Sequence, residues 1–508
     1  MSKVSRREFV AATVALSAAA VGCRDRGSMA APTLTRTELL ELSAVDVVDA
    51  LKRGDFTAER YGSALLAQCE ARKSLNAFIT IEPDRVLEAA RAADRRRAAG
   101  AQLGLLHGLP VPIKDSINTK DLRTTGGTLG LREFRPREDA PIVRSVVDAG
   151  AIVLGKTNLH ELSFGWTSNN LAFGPVRNPY DPTRIPGGSS GGTAVAVAAR
   201  MAPLGLAEDT EGSIRVPAAM CGIAGFRPTT GRYPSSAVVP ITTLFDQVGP
   251  HARSVGDLVL FDSVVTGDLR PCQPANLKGM KLAVARGYYF TDLDPEVERI
   301  TDEALRKLQE AGIELVEIQM PDLTSLVELT TGPIQLHDVL ITLKQYLEDY
   351  QAGVTFDQVM ELASPDVKAV FGLYVLPAAK FFVSDAMYRS AREVHLPKLR
   401  EQFRAQFAAS GAAALVFPTT MVPPVPIGQD VDVVIRGKKV PFMTAIARNI
   451  APGSTAGLPG LVLPAGLTSS GLPVALEFDG PTGTDRALLA MGLSLERTLG
   501  RIPAPTVG

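Results

Sequence analysis

Gly187-Gly188-Ser189-Ser190-Gly191-Gly192 runs straight into Thr193-Ala194-Val195-Ala196-Val197-Ala198-Ala199-Arg200, an alanine-rich helical pattern. Glycines reach backbone angles closed to other residues and let a ligand approach the main chain closely. Hydroxyls set just before a helix meet its free N–H groups. By itself the stretch reads as a flexible linker or a phosphate cradle. It also reads as chemistry, because Gly188-x-Ser190-x-Gly192 fits the nucleophile-elbow pattern. Ser190 would then be a hydrolase nucleophile, with His251, His337 or His395 downstream as its base.

The neighbouring segments point elsewhere. Downstream, Glu208-Asp209-Thr210-Glu211-Gly212-Ser213-Ile214-Arg215-Val216-Pro217-Ala218 sets a second serine in a tight turn behind several consecutive N–H donors. Upstream, Gly108-Leu109-Pro110-Val111-Pro112-Ile113-Lys114-Asp115 puts a lysine at the end of an apolar strand. An isolated strand-end lysine ordinarily snorkels to solvent or pairs, here with Asp115. A buried one has a lowered pKa and can serve as a base.

Together these segments resemble the amidase signature family. Lys114 precedes Ser189 by 75 residues and Ser189 precedes Ser213 by 24, the spacing of that family's Ser-Ser-Lys triad. Gly150-Ala151-Ile152-Val153-Leu154-Gly155-Lys156-Thr157-Asn158, Phe173-Gly174-Pro175-Val176-Arg177-Asn178-Pro179, Pro217-Ala218-Ala219 and Gly225-Phe226-Arg227-Pro228-Thr229 match as well, and the likeness extends from about residue 37 to 503. The resemblance implies a single α/β/α domain around a mixed sheet, with no cofactor. It makes Ser213 the nucleophile, Ser189 (held by the family in a cis peptide) the proton relay and Lys114 the neutral base. The backbone N–H groups of Thr210, Glu211, Gly212 and Ser213 become the oxyanion hole. Ser190 drops to a supporting role.

One position departs from the pattern. Glu211 stands where the family usually has Gly or Ala, so a carboxylate sits beside the expected oxyanion hole. If it points away, the backbone donors are unaffected. If it points inward, it opposes the developing charge or selects a substrate bearing a positive or hydrogen-donating group. A nearby arginine such as Arg215 would neutralise it. The same residue motivates a second class of function, a catalytically silent binding protein of the cell envelope.

For substrate, Asn158-Leu159-His160-Glu161-Leu162-Ser163-Phe164-Gly165, Ala447-Arg448-Asn449-Ile450-Ala451-Pro452-Gly453-Ser454, Gly457-Leu458-Pro459-Gly460 and Leu472-Pro473-Val474-Ala475-Leu476-Glu477-Phe478-Asp479-Gly480 are similar to the mandelamide and indoleacetamide hydrolase branch. That likeness implies a small-molecule aryl or apolar carboxamide, with Trp166, Ser190 and Asn449 as candidate contacts. The same triad serves anilides, esters and carbamates in other members, and the signature is shared with a subunit of tRNA-dependent amidotransferases. A homodimer is compatible with the sequence.

The rest of the chain agrees with an α/β enzyme. The 508 residues are 45% hydrophobic and 21% charged, with net charge −1, so there is no field for a polyanion, and nucleic acid is not an expected partner. Four cysteines without CxxC spacing and five scattered histidines disfavour a disulfide scaffold or a metal site. Short apolar runs at Leu109–Ile113, Ile152–Leu154, Leu282–Ala285, Leu415–Phe417 and Leu461–Leu463 alternate with helical patterns at Ala140–Ala149, Gly191–Ala199, Asp294–Ala311 and Asp485–Leu499. The stretch from Thr35 to Ala99 reads as helical, including helices over Thr57–Arg72 and Pro83–Ala99. This alternation implies a parallel or mixed sheet covered on both faces, in one large α/β/α domain over 32–508. A helix-rich region near 323–409 carries Tyr346, Tyr350, Phe356, Phe371, Tyr374, Phe381 and Phe382, mostly core, with a minority lining a pocket. Residues 1–31 read as an address: Ser5-Arg6-Arg7-Glu8-Phe9-Val10 and the apolar Ala11–Gly22 resemble a twin-arginine export signal, too short to span a bilayer. Ala20-Val21-Gly22-Cys23 partly resembles a lipoprotein cleavage box, which leaves a lipid anchor on Cys23 and simple cleavage near Ala20 or Ala30 both open. The expected location is the periplasm or cell envelope, and no segment reads as a transmembrane helix.

Overall fold

The computed structural model describes residues 34–506, of which Arg36 onward form one compact unit. The export signal and Cys23 lie outside the described residues. Strands follow in chain order as β1 Phe78–Thr80, β2 Pro110–Lys114, β3 Ile152–Thr157, β4 Asn169–Asn170, β5 Gly174–Pro175, β6 Leu204–Asp209, β7 Ala224–Arg227 and β8 Gln247–Ala252. They continue as β9 Lys281–Val284, β10 Glu314–Glu317, β11 Ala414–Pro418, β12 Asp432–Ile435, β13 Lys438–Pro441, β14 Gly460–Leu467 and β15 Pro473–Asp479. Eleven of them form one sheet in the order β1-β3-β2-β6-β8-β7-β14-β15-β11-β9-β10, while β4–β5 and β12–β13 are small separate ribbons.

The sheet is mixed, as expected for an α/β/α domain. β2 runs parallel to β3 and β6, and β9 parallel to β10 and β11, whereas β6–β8, β7–β8, β7–β14 and β14–β15 are antiparallel. Every residue of β2, β6 and β8 is buried, because helices cover both faces. β8, Gln247-Val248-Gly249-Pro250-His251-Ala252, gives little strand signal. Pro250 is tolerated because β7 pairs only with His251 and Ala252, so no ladder donor is asked of it on that side. β1 interrupts the stretch that reads as helical from Thr35 to Ala99, as a three-residue edge strand.

Two elements place the site. The helix Gly191–Ala198 is buried all round, which its glycine, alanine, valine and threonine side chains permit. A Cβ at Gly192 would lie 2.3 Å from Asn158 O and 2.5 Å from Ala77 O, so only glycine lets this helix seat against the β3 side of the sheet. The helix Thr331–Asp349 begins a helical layer over the site. Tyr346, Phe356 and Phe371 bury against Leu131, Phe134, Leu162, Val239 and Ile241. Phe381 and Phe382 are instead exposed.

Candidate active site

Parallel strands direct their carboxyl ends to the same edge of a sheet, the usual place for chemistry in α/β folds. β2 ends on Lys114 and its neighbour β6 ends on Glu208-Asp209, paired through Ile113 and Leu206. Lys114 Nζ donates to Ser189 Oγ at 2.6 Å and to Glu208 Oε1 at 2.6 Å. Burial pushes the Lys114 pKa below the ordinary lysine range, and the Glu208 carboxylate pulls it partly back. Asp115 does not take Lys114. It accepts from Thr125 N–H and lies 3.4 Å from Lys156 Nζ.

The Gly188–Ser189 peptide bond is cis. Ser190 N–H donates to Ser213 O at 3.3 Å, tying the glycine-serine turn to the turn that carries Ser213. Lys114 and Ser189 are fully buried, and Ser213 is 5% exposed, so of the three only Ser213 reaches accessible space.

Asp209 organises the Ser213 turn. Its carboxylate accepts from Gly212 N–H at 2.8 Å and Ile214 N–H at 3.0 Å, and Arg215 Nε and Arg227 Nε close on it at 3.1 and 3.5 Å. These two guanidiniums hold the Asp209 pKa well below the ordinary range in spite of burial. The expected set of four oxyanion donors is corrected accordingly: Gly212 N–H is spent on Asp209. The N–H groups of Thr210, Glu211 and Ser213 meet no turn, loop or side-chain acceptor among the described residues. Gly212 has φ +97°, and a Cβ there would lie 2.0 Å from Ile450 Cδ1, so the turn requires glycine.

Glu211 is not neutralised by an ion pair with Arg215, whose guanidinium engages Asp209, Glu477 and Ser454. Instead its Oε2 accepts from Gln335 Nε2 at 2.9 Å, on the helix Thr331–Asp349. The side chain is half-buried yet surrounded by protein, and this burial pushes its pKa up to about 7. Trp166 Nε1 donates to Glu211 O at 2.8 Å, so the indole fixes the turn from outside. Ser190 Oγ donates to Glu208 O at 2.9 Å, and no histidine is hydrogen-bonded to it. His251 Nε2 meets Ile214 O, and burial lowers its pKa to about 4. His337 stacks on Tyr388. Asn449 is taken up by the framework, its amide donating to Tyr289 O and Pro418 O. Among the described residues, no group of three or more His, Cys, Asp and Glu is gathered as a metal site, and no helix is long and apolar enough to cross a membrane.

The family model described as Amidase matches residues 62–489. The chain belongs to the amidase family. This amidase is 38% identical to an indoleacetamide hydrolase of Agrobacterium vitis over 458 residues, covering 90% of this chain and 97% of the relative. It is 35% identical to the mandelamide hydrolase of Pseudomonas putida over 487 residues, covering 92% and 93%. Its fold superposes on the peptide amidase of Stenotrophomonas maltophilia with a TM-score of 0.78 at 29% identity, covering 92% of this chain and 98% of that one. The amidase is thus a hydrolase acting on carbon–nitrogen bonds. Two members of its site escape a sequence reading. Glu208 is one carboxylate in a row of acids, and nothing in the row marks it as the partner of a lysine 94 positions earlier. Gln335 lies 124 residues from Glu211, in a helix whose pattern reports only its apolar face.

Proposed function

We propose that this amidase hydrolyses an aryl or otherwise apolar carboxamide through an acyl-enzyme on Ser213. The observation that carries the reading is the 2.6 Å contact of buried Lys114 with Ser189, beside a turn that leaves Ser213 accessible among unengaged N–H groups. Ser213 Oγ attacks the amide carbon, its proton passing to Ser189 Oγ while the Ser189 proton passes to Lys114 Nζ. The tetrahedral oxyanion takes the N–H groups of Thr210, Glu211 and Ser213, each donor contributing on the order of 2–4 kcal/mol of barrier lowering. The C–N bond breaks as Lys114 returns the proton through Ser189 to the leaving nitrogen. Water then attacks the Ser213 ester along the same relay, releasing the acid and regenerating the serine.

The substrate class is supported by the names of the relatives and by the site's rim. Trp166 is half-buried and bonded to Glu211 O of the Ser213 turn, and Phe164, two residues before it, is half-buried and packs on Phe371 of the overlying helical layer. Each buried aromatic ring favours apolar substrate surface. Export through the twin-arginine route is supported by Arg6-Arg7 and the apolar stretch after them. Replacing both arginines by lysine would leave the activity of expressing cells in the cytoplasmic fraction.

The test of the substrate is ammonia release by purified protein from arylacetamides and from short alkyl amides. A kcat/KM at least about 10-fold higher for the aryl compounds is expected, given what burying a few extra apolar carbons is worth. Preference for the short alkyl amides, or cleavage confined to esters, would overturn it.

A further inference from the structure

We propose that Glu208 is the positioning residue of the proton relay: its carboxylate holds the ammonium that Lys114 becomes during acylation and sets the pH at which Lys114 turns into a base. The inference rests on the Ser213–Ser189–Lys114 reading and adds a fourth member to it.

Glu208 is buried, and its Oε1 collects Lys114 Nζ at 2.6 Å, Ser163 Oγ at 2.5 Å and Ser116 Oγ at 3.3 Å. Three donors converging on one oxygen orient the carboxylate firmly. Ser163 reaches it from a backbone in the left-handed region, φ +60° after Leu162 at +51°, which non-glycine residues adopt at a cost. The lysine amine is therefore held between two acceptors. One N–H points to Glu208, leaving Ser189 Oγ as the partner across which a proton moves.

The charged groups around Lys114 come from β6, β8 and the loop before β8, and of these only Glu208 touches it. Asp209 is committed to Arg215, Arg227 and two backbone N–H groups. Asp246, in the loop before β8, accepts from Thr210 Oγ1 at 2.6 Å and from Ile241 and Thr242 N–H. His251, on β8, is occupied by Ile214 O. Burial alone would make Lys114 a feeble base, since an ammonium without a partner is strongly disfavoured in a closed site. Glu208 opposes that effect, bringing the base toward the working pH where general-base catalysis is most effective.

The test is the acid limb of the kcat/KM profile, where activity appears as Lys114 loses its proton. Removing a negative charge lowers the Lys114 pKa, so Glu208→Gln is expected to move this limb down by about one pH unit or more. It should also cut plateau kcat by roughly 10²–10³-fold with KM little changed. Glu208→Asp keeps the charge and should keep the limb within about half a unit. Ser163→Ala removes a donor competing for Oε1, so its limb should move the opposite way, upward by a few tenths. Every profile is repeated with Asp246→Asn, because burial puts Asp246 near pH 7 and Glu208 acts on it too; the shifts must survive there. A Glu208→Gln limb that coincides with the parent, at whatever plateau, overturns the proposal. If that variant does not fold, an unmoved limb in Ser163→Ala overturns it. Full hydrolysis by Ser213→Ala would instead overturn the underlying triad reading, independently of where any limb falls.

Discussion

Glu211 carries a carboxyl two residues before Ser213, and Gln335 draws that carboxyl toward the overlying helix while the backbone N–H stays in the turn. Its folded pKa of about 7 stands above the ordinary 4.5, so the folded state holds the proton more tightly than the unfolded chain. Ionisation therefore works against folding: the penalty is absent below about pH 4.5, grows as pH rises and is complete above about 7. Glu211→Gln should stabilise the protein by about 1–3 kcal/mol at pH 8 and by nothing at pH 4, read from urea midpoints at the two pH values. Equal gains at both would contradict the assignment. Since the glutamine still accepts from Gln335, turnover at pH 7 should stay within about 3-fold of the parent. At the triad, Lys114→Ala and Ser213→Ala should each lower kcat by about 10³-fold or more with the fold intact by circular dichroism. Ser190→Ala loses only a hydroxyl bonded to Glu208 O and should cost about 10-fold or less.

Among the elements, the turn from Asp209 to Ile214 is where local geometry and stability coincide. Asp209 satisfies two of its N–H groups and faces two buried guanidiniums, so Asp209→Ala leaves uncompensated charge inside the protein. A loss of about 3–5 kcal/mol in urea unfolding is expected, far more than for removal of an exposed ion pair such as Arg299–Glu303. Gly212→Ala meets both the left-handed backbone and Ile450, which is itself buried and cannot move aside freely. That substitution should cost about 1–3 kcal/mol and most of the activity, since the Thr210–Ser213 donors shift with the turn. The helix Gly191–Ala198 shows what a sequence makes legible at this scale: its small residues declare a tightly packed helix and its preceding glycines a sharp entry. β6 is less legible, because Leu204-Gly205-Leu206-Ala207-Glu208-Asp209 ends in two acids that look solvated until Lys114, Arg215 and Arg227 are placed around them.

Across the whole molecule, the alternation of apolar runs and helical patterns is sufficient for a covered mixed sheet, because helix period and strand composition are local properties. The runs at β2, β3, β9, β11 and β14 lie within a few residues of their expected bounds. β8 is a strand by virtue of its neighbours, its residues carrying no strong preference of their own, whereas Phe78-Ile79-Thr80 of β1 favours a strand but is too short a run to stand out between two helical patterns. The same holds for the site. Ser189 and Ser213 stand in glycine-rich turns, Lys114 at the end of an apolar strand, and the three are picked out together by their likeness to the amidase triad, whereas Glu208 and Gln335 acquire partners only when topology brings β6 beside β2 and the helix Thr331–Asp349 over the Ser213 turn. The central claim, that catalysis passes through an ester on Ser213, is tested most directly by rapid quenching with an aryl carboxamide and peptide mass spectrometry. The account predicts an acyl group on the peptide containing Ser213, absent in Ser213→Ala. An acyl group on Ser190, or turnover undiminished in Ser213→Ala, would contradict it.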